Sequence, residues 1–171
     1  MDIGNCLQSS ITQVQVLSVT PLILYKKEEM LQGALAVISG QKLETIVENT
    51  LLKYFPKHEI KARAKFTNIY NKNGKMDFAV ERSGIVIECK RQKVCGTVDQ
   101  KIPFVLANLE KVKANLGILM LDGDWYRQQT GLVEWAKNKA LALRPLNIQI
   151  LFPEELDTVL NEFCQTKRIT K

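Results

Sequence analysis

Apolar positions along the chain recur at two spacings, and the change from one to the other divides it into elements. Met30, Leu31, Ala34, Leu35 and Ile38 predict a helix over 26–38. Leu43, Ile46, Val47, Leu51 and Tyr54 predict a second over 41–54, closed by Phe55-Pro56. Extended segments are expected next at 58–66, 75–81 and 84–90, separated by the turn sequences Asn71-Lys72-Asn73-Gly74 and Arg82-Ser83-Gly84. The rhythm then alternates: a helix over 99–115, a buried strand over 117–121, a helix over 132–141 and a strand over 147–152. A last helix covers 153–163, with Pro153 in its first turn. Before residue 26 the pattern is mixed; Val14 to Val19 alternates like a strand, and Pro21 interrupts. From Gly40 the order is α-β-β-β-α-β-α-β-α, which implies an α/β fold with a mixed central sheet flanked by helices on both faces.

Composition narrows the class. A chain of 171 residues that is 46% hydrophobic can bury the core of a single domain. It is read as an N-terminal extension (1–39), a core (40–152) and a C-terminal helix and tail (153–171). No apolar run approaches the roughly 18 to 20 residues needed to span a bilayer. Met1-Asp2-Ile3-Gly4 lacks the basic start and apolar core of a signal peptide. A cytoplasmic protein with no membrane partner is expected. Cys6, Cys89, Cys95 and Cys164 form no CxxC pair and read as reduced thiols. The net charge of +6 has one concentration, from Lys53 to Lys75, where Glu59 is the single acid, and another at Lys90-Arg91-Gln92-Lys93. Such surfaces suit a polyanion, either nucleic acid or an acidic membrane.

The candidate chemistry lies where the apolar pattern breaks. In Ile85-Val86-Ile87-Glu88-Cys89-Lys90, alternation puts Ile85, Ile87 and Cys89 on one face and Val86, Glu88 and Lys90 on the other. An adjacent carboxylate and ammonium ending an otherwise apolar strand are costly to bury, and such breaches mark function. Asp77 precedes Glu88 with ten residues between them, so a hairpin folded at Arg82-Ser83-Gly84 brings the two acids together. Two carboxylates suit a hard cation such as magnesium, and Lys90 can orient or deprotonate a water or steady charge on a phosphate. His58 is the only histidine and reads as a surface residue. The chain has no Walker loop, dinucleotide-binding glycine pattern or serine nucleophile elbow.

Asp77, Glu88 and Lys90, set in that element order, resemble the PD-(D/E)XK nuclease superfamily, which includes type II restriction enzymes, homing endonucleases and Holliday-junction resolvases. The resemblance covers Gly40 to Phe152; Met76-Asp77 departs from the usual Pro-Asp. It implies a restriction-endonuclease-like αβββαβ core and an endonuclease that hydrolyses double-stranded DNA with Mg2+, Mn2+ being a plausible substitute. Restriction-type cleavage is the leading expectation, homing and junction resolution are the alternatives within the superfamily, and a non-catalytic DNA-binding module is the alternative outside catalysis.

The implied catalytic residues are Asp77, Glu88, Lys90, Glu44 and Gln100, and the implied metal set is Asp77, Glu88, Cys89 and Glu44. Glu48, one turn after Glu44, is the understudy. Gln100 and Lys101 belong to Gly96–Pro103, similar to a segment that follows the catalytic strand in restriction-like enzymes. DNA contacts are expected from Lys61, Arg63, Lys65, Asn71, Lys72, Asn73, Lys75 and Lys101. Asp122-Gly123-Asp124-Trp125 through Trp135 is similar to a Gly-rich loop and Trp-bearing helix found downstream in such proteins. Trp125 and Trp135 are expected to be core or loop anchors. Cutting both strands with one site per chain implies a homodimer or higher homo-oligomer.

Overall fold

A computed structural model describes residues 40–93, 97 and 99–169. The strand expected at 14–19, the helix expected at 26–38, Cys6, Cys95 and part of the segment Gly96–Pro103 lie outside them. Helix α1 occupies residues 40–51, followed by strands β1 (Ile60–Thr67), β2 (Asn73–Val80) and β3 (Ile85–Arg91). Then come α2 (Ile102–Val112), β4 (Leu116–Asp122), α3 (Asp124–Gln128), α4 (Thr130–Ala142), β5 (Ile148–Leu151) and α5 (Leu156–Ile169). The strands form one mixed sheet in the order β1-β2-β3-β4-β5: β1, β2 and β3 pair antiparallel, while β3, β4 and β5 pair parallel.

Two apolar layers sandwich this sheet, as period-2 alternation demands. Leu43, Val47 and Leu51 of α1 and Leu156 and Leu160 of α5 pack with Ile85, Ile87, Ile118 and Met120. On the opposite face, Val105 and Leu109 of α2 and Val133 and Ala136 of α4 pack with Leu119 and Leu121. Each fully buried aliphatic chain contributes about 1.5–3 kcal/mol. Of the expected stripe, Leu43, Val47 and Leu51 form the core face, Ile46 lies at the surface, and Tyr54 falls past the end of α1, which stops at residue 51 rather than 54.

One strand pair breaks the alternation. Met76 packs on the α2 side, whereas Phe78 and Val80 pack on the α1 side, although same-parity residues should share a face. The change falls at Asp77. Its partner position on β1, Arg63, has φ 51, and the register passes from Ala62↔Phe78 to Ala64↔Met76 without pairing the two. A left-handed arginine costs about 1–2 kcal/mol, and here it accompanies the switch that sets Asp77 apart from its neighbours.

Boundaries moved where tertiary contacts overrule periodicity. Helix α2 stops at Val112, short of the expected 115, because Lys113 turns left-handed (φ 52, ψ 43) and the Asn115 amide donates to Ser83 O at 2.9 Å. The short helix α3 was not expected. It begins after Gly123, whose φ of 103 and close approach to Gln92 admit no side chain: a Cβ there would lie 2.2 Å from the Gln92 carbonyl oxygen. Helix α5 runs past the expected 163 to Ile169, after a 3-10 turn at Pro153–Glu155.

Candidate active site

Strand β3 delivers two of the expected groups. Glu88 and Lys90 face the α2 side, into a cleft of about 250 Å³ also lined by Lys75, Lys101, Phe66 and Phe104. Cys89 points the other way, into the α1-side core. Lys90 Nζ donates to Glu88 Oε1 in a tight ion pair and to the Cys89 carbonyl oxygen at 3.1 Å. The second carboxylate oxygen, Glu88 Oε2, is buried without a hydrogen-bond partner. Burial pushes the Glu88 carboxyl above its ordinary range; Lys90 opposes that shift and Asp77 adds to it.

Asp77 approaches Glu88 and Cys89 from β2. The β2–β3 pairing ends at Phe78↔Ile87, and one residue further the Cys89 N–H donates to Asp77 Oδ2 at 2.7 Å. A side chain thus takes over the acceptor role that a paired strand fills with a backbone carbonyl. The ladder stops where the acids begin.

Glu44, in the second turn of α1, belongs to this electrostatic group. Partial burial raises its pKa, Asp77 raises it further, and Arg63 and Lys90 lower it. Glu48 instead faces Lys57, 4.0 Å away. Cys89 is in the expected metal set, but burial, with Asp77, Glu88 and Glu44 adding to it, holds its thiol well above the ordinary thiol range. A neutral, inward-facing thiol is a poor ligand, so its carbonyl oxygen is the atom this residue offers. Gln100 is exposed in the turn before α2.

The expected DNA-contacting residues divide between two surfaces. Lys75 and Lys101 line the cleft, while Lys61, Arg63 and Lys65 line a larger groove of about 740 Å³ along β1. Lys61 is also paired with Glu81 at 2.6 Å. Asn71 is committed to the hairpin, since its Oδ1 accepts Lys111 Nζ at 2.7 Å; Lys72 donates its backbone N–H to Asn68 Oδ1 at 3.0 Å. Asn73 pairs with Thr67 at the start of β2. Further along the chain, Asp122 holds Arg91 at 2.8 Å. Trp125 packs against the α2-side core and Trp135 is exposed on α4.

Sequence reasoning missed two features: the left-handed Arg63 opposite Asp77, and a hairpin clamp in which the buried Asn108 accepts the Ile69 N–H at 3.0 Å. The single aromatic in the polar turn, Tyr70, was the available signal for the hairpin.

Among the described residues, no three acidic, histidine or cysteine side chains converge into a ready-made metal cage. A magnesium ion does not require one: it is held by one or two carboxylates and keeps waters or substrate phosphates as its other ligands. Asp77 together with the unpartnered buried oxygen of Glu88 fits that demand. The family profile of the PD-(D/E)XK nuclease superfamily domain matches residues 26–166. The chain belongs to this superfamily, and a nuclease domain implies a nucleic-acid substrate. The match begins ahead of Gly40 and ends beyond Phe152, so it is wider than the motif-bearing segment. No curated protein and no solved structure matches the chain. Among the described residues, no helix is long and apolar enough to cross a membrane.

Proposed function

We propose that the protein is a magnesium-dependent endonuclease that hydrolyses phosphodiester bonds in double-stranded DNA, with restriction-type cleavage its leading role. The observation that carries this reading is the buried, unpartnered Glu88 Oε2 beside Asp77 and Lys90, an acceptor that a cation would satisfy. In this reading Asp77 and Glu88 would hold the ion, with the Cys89 carbonyl oxygen as a third donor and Glu44 as a helper beside them. When bound, the ion polarises a phosphoryl oxygen and lowers the pKa of a bound water. Lys90 Nζ pairs with the Glu88 carboxylate. With Glu88 holding a cation, the Lys90 ammonium would be placed to orient the attacking water or to steady charge on the phosphate. Lys75 and Lys101 hold the backbone at the cleft, and Lys61, Arg63 and Lys65 extend the contact along β1.

One site per chain cuts one strand, so breaking both calls for a symmetric homodimer. Lys90→Ala tests the chemistry: cleavage should fall by at least about 100-fold while salt-sensitive DNA binding persists. Full cleavage by Asp77→Ala would sink the reading.

A further inference from the structure

Tyr70 and Phe104 stand out from the rest of the fold. Tyr70, 67% exposed at the tip of the β1–β2 hairpin, stacks on Phe104 of α2, 37% exposed, with ring centroids 5.6 Å apart and planes 20° apart. Tyr70 is the most exposed large apolar side chain among those described. It belongs to neither core cluster.

The hairpin beneath it is held firmly. Asn68 Oδ1 accepts the backbone N–H groups of Tyr70 and Lys72, both at 3.0 Å. Lys111 Nζ donates to Asn68 O and Asn71 Oδ1, each at 2.7 Å. Asn108, 3% exposed, fixes Ile69. A loop this well tied, carrying a ring the core does not use, presents that ring outward. Its place is equally specific, because Phe104 and Asn68 line the same cleft as Glu88, Lys90, Lys75 and Lys101.

We propose that Tyr70 and Phe104 form a stacking platform for an unpaired nucleobase next to the phosphate that the cleft receives. A continuous duplex keeps its base faces stacked on one another and offers an aromatic ring only edges and backbone. An unpaired or extruded base offers a π-face, which any of the four bases can present. The lysines of the cleft supply the charge complementarity for the flanking phosphates. The substrate is therefore double-stranded DNA in which a base on one side of the cut is unpaired or extruded from the stack by the protein. The identity of the ligand rests on the nuclease reading; the platform itself rests on the exposed, clamped rings.

The test is binding by fluorescence anisotropy with the full chain and no divalent cation, so that nothing is cut. Two duplexes are compared, one with a single bulged adenine and one with an abasic residue at the bulge. The wild type should bind the base-bearing duplex about tenfold or more tightly. Tyr70→Ala should bind both alike, and Tyr70→Phe should keep the discrimination. A wild type indifferent to the base, or a Tyr70→Ala variant that discriminates as well as the wild type, overturns the platform. Thermal unfolding checks that this exposed substitution leaves the fold intact. A protein that discriminates but cuts no DNA with magnesium keeps the platform and removes the nuclease reading; one that cuts without discriminating does the reverse.

Discussion

Asp77 places two demands on one side chain: an acceptor for the Cys89 N–H and, in the proposed mechanism, a cation ligand. They separate by substitution. Asp77→Asn keeps an acceptor oxygen and should unfold in urea within about 0.5 kcal/mol of the wild type, whereas Asp77→Ala orphans the N–H and should lose about 1–3 kcal/mol. Both should fail to cleave.

Glu88 supplies the pH dependence. Its folded pKa lies above the ordinary carboxylate range, chiefly through burial, so it keeps its proton to higher pH than a solvated acid. In the proposed mechanism magnesium would have to displace that proton, so its affinity should weaken as pH falls through the raised pKa. In the metal-free protein the native state binds more protons than the unfolded one between the two pKa values. Stability therefore declines as pH rises through that window and levels off above the folded pKa. Magnesium titrations across the acid range check this, with Glu88→Gln expected to bind little metal at any pH; affinity unchanged down to the ordinary carboxylate range would contradict it.

At the scale of elements, what was legible in the sequence divides by cause. Strand β3 could be read because Ile85 to Lys90 alternates cleanly, and with it the opposed faces of Glu88 and Cys89. Helix α1 could be read from its stripe, and the position of Glu44 near its start separates it from Glu48. The end of α2, the existence of α3 and the face change at Asp77 could not be read. Each depends on how segments distant in sequence meet: Asn115 on Ser83, Gly123 against Gln92, and the break in β1–β2 pairing at Arg63 and Asp77. The aromatic pair was hidden for the same reason, since Tyr70 meets Phe104 only when α2 crosses the hairpin. Gly123→Ala should be among the costliest single changes, roughly 3 kcal/mol or more in thermal unfolding, because it combines an unfavourable φ with a clash against backbone.

At the scale of the described fold, each face of the sheet carries an apolar layer, and the chemistry sits toward the end of β3 where the α2-side layer gives way to a cleft. One face is closed by α1 and α5, and the other, under α2, opens into the cleft that holds Glu88 and Lys90. Lys75 and Lys101 stand at that opening and Lys61, Arg63 and Lys65 along β1, an arrangement that suits an extended polyanion better than a compact ligand. Replacing Lys101 by Ala should weaken DNA binding similarly for all sequences and reduce the slope of log K against log salt by about 1. A change of sequence preference with an unaltered slope would mean that Lys101 reads bases instead. The central claim, that Asp77, Glu88 and Lys90 form a metal-dependent nuclease centre, is tested most directly by incubating supercoiled plasmid with the purified full chain. Magnesium should produce nicked and linear products, chelation should stop their formation, and Lys90→Ala should form almost none. Cleavage that survives chelation, or that Lys90→Ala performs as well as the wild type, would contradict the assignment.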